Sequence, residues 1–224
     1  MRIPKILRSV SFAALLVAGS VAAFGNVITA NQCVGGVCPG TLDIFNNTPG
    51  TLLASTSSSF TALDNTGVAK YNGTVRAAVY RNLSNTLDFY YQFTNNSSSV
   101  DSVGRLTMTN FTGFTTDVGY RMGNWDGNFL AANQAALSAD RSSTGGTVGF
   151  GFGALSSQIN PGETSASLVI RTNAINYTSG SVTTQNGAVW TAAAYAPTTG
   201  VPEPGTFVLL GAGLIGLAAF RRRA

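Results

Sequence analysis

Few side chains in this 224-residue sequence belong to the types that catalyse reactions. Histidine is absent, which excludes Ser-His-Asp and Cys-His nucleophilic sites and any zinc site that depends on imidazole. A pair of carboxylates is enough for glycoside hydrolysis, but the acidic residues are scattered and none lies in a recognisable catalytic motif. We therefore expect no enzymatic activity, and a glycan hydrolase is only the third of three candidate functions. The interior acidic residues are Asp43, Asp64, Asp88, Asp101, Asp117, Asp126, Asp140 and Glu163.

One stretch, DVGYRMGNWDGN, offers oxygen atoms of the kind that calcium accepts as ligands. These belong to the side chains of Asp117, Asn124, Asp126 and Asn128. The stretch lacks the loop length and the final glutamate of an EF-hand. A hairpin turn at Asp126-Gly127 explains the same residues more simply. We expect no bound cofactor.

Four aromatic side chains are candidates for a glycan-binding face. An aromatic ring packs on the apolar C–H face of a sugar, while Asn and Thr side chains bond to its hydroxyls. Most aromatic residues in a β-rich domain belong to its core or to cross-strand pairs. A carbohydrate-binding module is therefore the second candidate function. It requires an exposed, coplanar row formed by Trp125, Trp190, Tyr90 and Tyr120.

The two cysteines, Cys33 and Cys38, enclose four residues, of which two are glycines. In an oxidising compartment this spacing favours a small disulfide-bonded loop. A pair of free thiols is the alternative, and two cysteines are too few ligands for a metal. The loop is short, so we expect it to add modest stability.

Alternating apolar and polar residues predict β-strands through most of residues 40–195. The clearest strand is LDFYYQF at 87–93, in which Phe89 is expected to face the core and Gln92 to face solvent. Short strands without intervening helices predict an all-β fold, an antiparallel β-sandwich of jelly-roll type. We place this domain at residues 31–195 and a linker at 196–200.

Several segments carry more specific predictions. Residues 82–85 are expected to form a hairpin turn, and Asn-Pro-Gly-Glu at 160–163 a β-turn. At 148–153 bulky residues alternate with glycines, which indicates a strand whose second face lies close against another group. Residues 188–195 are the last predicted strand. Good helix formers make 128–139 the one candidate helix.

The formal net charge of +4 comes from the two ends of the chain. Six of the 13 Lys and Arg residues lie there, whereas residues 24–200 hold seven basic and eight acidic residues. The interior therefore has no basic stripe that could follow a phosphate backbone, and we expect no nucleic-acid partner. Terminal positive charge is typical of membrane targeting.

Residues 1–23 have the pattern of a secretory signal peptide. A basic segment, MRIPKILR, precedes an apolar segment that is too short for a good membrane anchor. Small residues at 21–23 provide a cleavage site before Phe24, and Ala30 provides an alternative end at residue 30. The expected partners are the Sec translocon and signal peptidase.

Residues 201–224 form a three-part tail. Pro202-Glu203-Pro204 interrupts any helix, because each proline lacks an N–H group and restricts the residue before it. An uncharged apolar run follows at 205–220, predicted as a transmembrane helix that spans roughly 24 Å. Arg221-Arg222-Arg223 then supplies a basic stop on the cytoplasmic side.

This order of elements resembles the PEP-CTERM sorting signal of exported bacterial proteins, over residues 201–224. The resemblance assigns recognition to Pro202, Glu203 and Pro204, and it implies an exosortase-type membrane protease as the processing partner. It further implies an inner-membrane intermediate, then delivery to the cell envelope or extracellular matrix of a bacterium that makes exopolysaccharide. We expect a non-enzymatic structural or adhesive role there, with exopolysaccharide as a candidate partner.

Overall fold

A computed structural model describes residues 26–124 and 126–200. The predicted signal peptide at 1–23, Trp125 and the whole tail at 201–224, with its predicted transmembrane helix and arginines, lie outside the described residues. Within the described part, no helix is both long enough and apolar enough to cross a membrane.

The regular secondary structure of the described chain is β-strand, with a single 3-10 turn at Leu155–Ser157. An all-β fold was expected from the composition and is confirmed. The strands are β1 Asn26–Val27, β2 Cys33–Gly35, β3 Asp43–Ile44, β4 Thr51–Leu63, β5 Ala69–Arg81, β6 Leu87–Asn95, β7 Arg105–Met108, β8 Thr116–Arg121, β9 Ser138–Arg141, β10 Val148–Gly151, β11 Ser167–Thr172, β12 Asn176–Asn186 and β13 Ala188–Thr198.

The strands form two sheets that enclose one core, so the predicted β-sandwich is confirmed. The first sheet has the order β1-β8-β11-β6-β5-β4, and β3 also pairs with β8. The second sheet has the order β13-β12-β7-β10-β9-β2. The pairings between these named strands are antiparallel apart from the short parallel contact between β3 and β8.

In the first sheet, β4, β5 and β6 follow one another as a meander, and β11 lies beside β6. Three consecutive hairpin-connected strands also occur within Greek keys. The predicted sandwich is confirmed, and its jelly-roll type stays a prediction.

Two turns occur where the sequence predicts them. Between β5 and β6, the N–H of Asn85 donates to the carbonyl of Asn82, and Asn85 has a φ of 62°, which Asn tolerates better than most residues. Before β11, the N–H of Glu163 donates to the carbonyl of Asn160, and Gly162 has a φ of 88°. Proline at the second position and glycine at the third are the residues that a type II turn requires.

The main core lies between the two sheets and follows the predicted alternation. From the first sheet, β5 contributes Val75, Ala77 and Val79, and β6 contributes Phe89 and its alternate neighbours. The second sheet supplies bulky residues such as Phe150. Full burial of each large apolar side chain stabilises the fold by roughly 1.5–3 kcal/mol.

The outer face of the first sheet is also covered, which the alternation of residues along its strands did not predict. Phe45 and Phe129 pack there against Tyr90 and Val169, forming a second, smaller core. Gln92 is 0% exposed on this face, so its predicted exposure to solvent is wrong. Its amide donates to the carbonyls of Leu130 and Ser165 and accepts the N–H of Leu130, at 2.8–3.0 Å.

The segment that provides this cover is the predicted helix at 128–139, which is irregular up to the start of β9. The helix prediction is wrong because tertiary contacts override propensity here. Phe129 enters the smaller core, and the carbonyl and N–H of Leu130 bond to the Gln92 side chain. Because of these contacts, the backbone around Phe129 and Leu130 lies across the outer face of the first sheet.

The close approach predicted for residues 148–153 is a salt bridge that crosses a strand. Arg105 on β7 reaches over β10 to Asp140 on β9 and donates two hydrogen bonds of 2.6 and 2.7 Å. A Cβ atom on Gly149 would lie only 2.0 Å from the Arg105 guanidinium. A larger residue at this position would therefore displace the Arg105 guanidinium from Asp140.

The two ends of the described domain differ from the predicted boundaries. Asn26–Val27 already pairs with β8, and Ile28 is buried in the main core. At the other end, β13 continues to Thr198, three residues into the predicted linker at 196–200. The described strands therefore extend beyond residues 31–195 at both ends.

Candidate functional site

Titratable side chains meet in one row across the outer face of the first sheet. The strand registers place Tyr80 opposite Asp88, Asp88 opposite Arg171, and Arg171 opposite Asp117. Adjacent strands are about 4.8 Å apart, so the arginine lies between the two carboxylates. This row is the arrangement most relevant to the hydrolase hypothesis.

Asp88 lies in the middle of this row and is only 4% exposed. Burial raises the pKa of its carboxyl from 3.8 to about 6, and the nearby Asp117 carboxylate adds to this effect. A hydrogen bond of 2.8 Å from the Asn82 amide and the Arg171 guanidinium, at 3.7 Å, act in the opposite direction. Burial outweighs both.

Arg171 is held from several sides. Its guanidinium lies over the ring of Phe45, 3.8 Å from the ring centre, and donates a hydrogen bond of 2.6 Å to the side chain of Asn47. Cations are attracted to aromatic faces, so Phe45 both covers and stabilises the arginine. A general acid must reach the atom that it protonates. Asp88 is buried, bonded to Asn82 and paired with Arg171, so its contacts are those of a structural ion pair.

The candidate calcium ligands do not converge in the described part of the chain. Asp126 bonds to the hydroxyl of Tyr80 and accepts the backbone N–H and side-chain amide of Asn128, each at 2.9 Å. The side-chain oxygen of Asn124 faces the N–H of Gly127. Asp117, by contrast, belongs to β8 beside Arg171. No group of three or more acidic or cysteine side chains among the described residues is arranged to hold a metal ion.

The candidate glycan-stacking residues are distributed over different parts of the fold. Tyr90 is 1% exposed in the smaller core, which corrects its assignment to an exposed face. Tyr120 is partly buried and packs against the main core. Trp190, on β13, is 39% exposed and stacks on Phe60 with ring centres 5.7 Å apart. The described residues therefore form no coplanar row.

The predicted disulfide between Cys33 and Cys38 is confirmed, with Cα atoms 5.7 Å apart. It closes a turn at the edge strand β2, where Val34 is buried. A shallow groove of about 480 Å³ lies beside it, between the disulfide loop and β1. The groove is lined by Asn26, Val27, Ile28, Gln32, Cys33, Val34, Pro39 and Gly40. Apart from the bonded Cys33, none of these lining residues has a titratable side chain.

Arg141 is an important residue that no sequence signal indicated. It is 8% exposed and donates to four backbone carbonyls and one hydroxyl at 2.8–3.2 Å. Burial lowers the pKa of its guanidinium. The acceptors are the carbonyls of Gly145, Ile28, Phe111 and Phe114 and the hydroxyl of Thr116. They come from three separate segments, so the Arg141 side chain joins the N-terminal residues to the loops beside β8 and β9.

The described part of the protein is thus a two-sheet β-sandwich whose charged residues serve mainly to hold its parts together. Residues 200–223 match the family model described as the PEP-CTERM protein-sorting motif, which confirms the resemblance drawn from Pro202-Glu203-Pro204 and the terminal arginines. No curated protein and no solved structure matches the chain.

The sorting motif establishes the coarse cellular route of the protein. A chain that carries it is exported, is processed by an exosortase in the membrane and passes to the cell envelope.

Proposed function

We propose that the protein is a non-enzymatic structural or adhesive component of the bacterial cell surface or exopolysaccharide matrix. The observation that carries the proposal is the junction between the sandwich and its tail. The last strand ends at Thr198, and the sorting motif begins at residue 200. Processing within the motif therefore delivers a folded domain with almost no linker.

The chemistry of the described side chains supports a non-enzymatic role. Asp88, a carboxyl group whose pKa is raised by burial, is bonded to Asn82. The carboxylate of Asp140 is held by two hydrogen bonds from Arg105. Lining residues of the groove beside the disulfide offer amides and apolar groups. These are features of a stable scaffold.

The N-terminal residues support signal cleavage at Ala23 in place of Ala30. Cleavage at residue 30 would remove β1 and also Ile28, whose carbonyl accepts hydrogen bonds from Thr116 and Arg141. We expect the mature chain to begin near Phe24. An intact mass that starts at Asn31 would contradict this.

The experiment for the proposed function follows the protein through cell fractions. Wild-type protein is expected outside the inner membrane, with a mass that lacks the arginine tail. Replacement of Pro202-Glu203-Pro204 by alanines should retain it in the inner membrane, because the processing element is lost and the transmembrane helix predicted at 205–220 could then extend backward. A matched control replaces Thr198 and Thr199 by alanine and should leave release unchanged. Normal release and mass of the alanine-motif variant would refute the sorting-based proposal.

Binding of an exopolysaccharide is the second candidate function, and the exposure of Trp190 supports it. One face of this indole stacks on Phe60, while 39% of the residue remains open to solvent. A single exposed ring can stack on a sugar but supplies less area than a coplanar row. Co-sedimentation with the polysaccharide of the producing bacterium should weaken on Trp190→Ala substitution and not on Leu83→Ala. Equal binding by both variants would eliminate this candidate.

A further inference from the structure

The chain leaves the sandwich at one end, and the loops at that end carry no charge. The last strand, β13, ends at Thr198, and we call the end of the sandwich at this residue the exit end. Three loops that connect strands lie at the exit end: 82–86, 109–115 and 173–175. None of them contains a charged residue. Two acids on the adjoining strands, Asp88 and Asp117, are buried.

The opposite end of the sandwich, which we call the far end, is acidic. The loops that connect strands there are 64–68, 96–104 and 152–166. They contain Asp64, Asp101 and Glu163 but no Lys or Arg. Asp64 is paired with Lys70 at 3.5 Å on the first turn of the adjoining hairpin. The loops of the far end therefore carry net negative charge, which an anionic membrane surface repels.

A fixed turn at the exit end projects an apolar side chain into solvent. Leu83 is 105% exposed, at the tip of the turn between β5 and β6. The turn is held by Asn82, whose carbonyl accepts the N–H of Asn85 and whose side chain accepts the N–H of Ser84, both at 3.0 Å. The partly exposed Arg81 lies beside it and donates a hydrogen bond of 2.9 Å to the Asn85 side chain. A cation therefore accompanies the apolar tip.

A second exposed apolar side chain lies between this turn and the point where the chain leaves. The N–H of Leu87 donates to the carbonyl of Ala174 at 2.9 Å, which brings the loop at 173–175 beside the turn. Ile175 in that loop is 56% exposed. It directly precedes Asn176, which pairs with Thr198. The exit end thus presents two apolar side chains and one cation around the start of the tail.

The short link to the predicted transmembrane helix determines which end of the sandwich stays near the membrane. Residues 199–204 separate Thr198 from the helix predicted at 205–220. Even fully extended, this link reaches at most about 25 Å. The 13-residue strands β4 and β5 make the sandwich about 40 Å long. The exit end is therefore the end that the tail holds at the membrane surface.

We propose that the exit end docks on the lipid surface of the inner membrane while the tail is attached. Leu83 and Ile175 enter the headgroup region, and Arg81 faces anionic headgroups. Binding at a membrane surface increases with the apolar area that it buries and with the attraction between basic residues and anionic lipids. The tail raises the local concentration of the domain at the surface, so a small contact is sufficient.

Two matched fluorescent probes test the docking. The chain without its signal peptide but with its tail is reconstituted into vesicles of phosphatidylethanolamine and phosphatidylglycerol that include a headgroup nitroxide, which quenches nearby fluorophores. Ser84→Cys places a thiol beside Leu83, and Ser156→Cys places one beside Leu155 at the far end; both serines are exposed. The native cysteines are bonded to each other, so a thiol-reactive fluorophore labels the introduced cysteine.

The probe at Ser84→Cys should lose fluorescence, and the probe at Ser156→Cys should keep it. Equal loss at both positions would mean that the sandwich lies on its side, which overturns the proposal. Loss at the far end alone, or at neither position, would overturn it as well. The vesicles contain no other protein, so the last result would hold whether or not a membrane protein covers the exit end in the cell.

Substitutions at the contact give the size of the effect. Leu83→Ser should lower the ratio of docked to undocked protein about tenfold, because a buried leucine is lost from the contact. Arg81→Gln should lower it about fivefold, and vesicles without phosphatidylglycerol should remove this difference. The matched control is Leu155→Ser, at a position that is 75% exposed at the far end, and it should leave the ratio unchanged. An unchanged ratio for Leu83→Ser would refute the contact.

The proposal rests on the membrane intermediate of the proposed function, and flotation of the vesicles distinguishes the two failures. Protein that does not float with the vesicles would refute membrane insertion of the tail and docking together. Protein that floats while the Ser84→Cys probe stays bright would refute docking alone. The urea midpoint of each variant checks that the sandwich is folded.

Discussion

Substitution of Asp88 by asparagine should change how the stability of the sandwich depends on pH. In the folded protein, burial raises the pKa of this carboxyl from 3.8 to about 6. A raised pKa means that the folded state binds a proton more tightly than the unfolded state does. The stability from this group is therefore full below about pH 4 and is lost as the pH rises toward 6.

The magnitude follows from the two pKa values. A difference of about two pKa units corresponds to about 3 kcal/mol, and about 2.5 kcal/mol of this is lost between pH 4 and pH 7.5. Asparagine does not titrate, so the free energy of unfolding of Asp88→Asn should rise by about 2.5 kcal/mol relative to wild type between pH 4 and pH 7.5. Near-complete burial of Asp88 keeps solvent screening small.

Urea unfolding of both proteins at a series of pH values measures this difference. Because both proteins contain the other acidic residues, the difference between them removes the contributions of those residues. One of them is Asp64, whose pKa is lowered to about 2 by hydrogen bonds from the Thr66 hydroxyl and the backbone. Stability from Asp64 is lost only as the pH falls below about 4, so Asp64→Asn should change the profile in that lower range. A constant difference between wild type and Asp88→Asn from pH 4 to 7.5 would refute the reasoning.

Three further predictions concern the free energy of unfolding, which is measured by urea titration. Phe89→Ala should cost roughly 3–5 kcal/mol of stability, because it leaves a cavity in the main core. Gln92→Ala should cost about 2–3 kcal/mol, because two carbonyls and one N–H then lose their buried partner. A cost within about 0.5 kcal/mol for Gln92→Ala would show that this side chain is exposed after all. Arg141→Met should cost at least about 4 kcal/mol, since four carbonyls and a hydroxyl lose their donor, and a near-neutral effect would show that this side chain does not join the segments. Joint replacement of Cys33 and Cys38 by serine should cost about 2 kcal/mol for so short a loop and still allow folding; maleimide labelling of the unreduced, denatured wild type would contradict the bond.

Local features of the chain were predictable because they depend on neighbouring residues. The turn at 160–163 follows from the fixed φ of Pro161 and the positive φ open to Gly162. The Cys33–Cys38 bond was predictable because two cysteines five residues apart, with two glycines between them, can meet across a tight turn. The sorting motif at 200–223 is linear, and its order of proline, apolar run and arginine is readable in the sequence.

The sequence by itself determined the strands, the turns, the disulfide loop and the sorting route, since each depends on the order of nearby residues. Only the tertiary structure decided which polar side chains are buried, because that depends on what distant segments cover. Gln92 alternates like an exposed residue, yet the segment around Leu130 lies over it and uses its amide. Asp88 and Arg171 are 83 residues apart and meet only through strand pairing. Arg141 gained its role in the same way, because the carbonyls that it binds come together only when the sandwich closes.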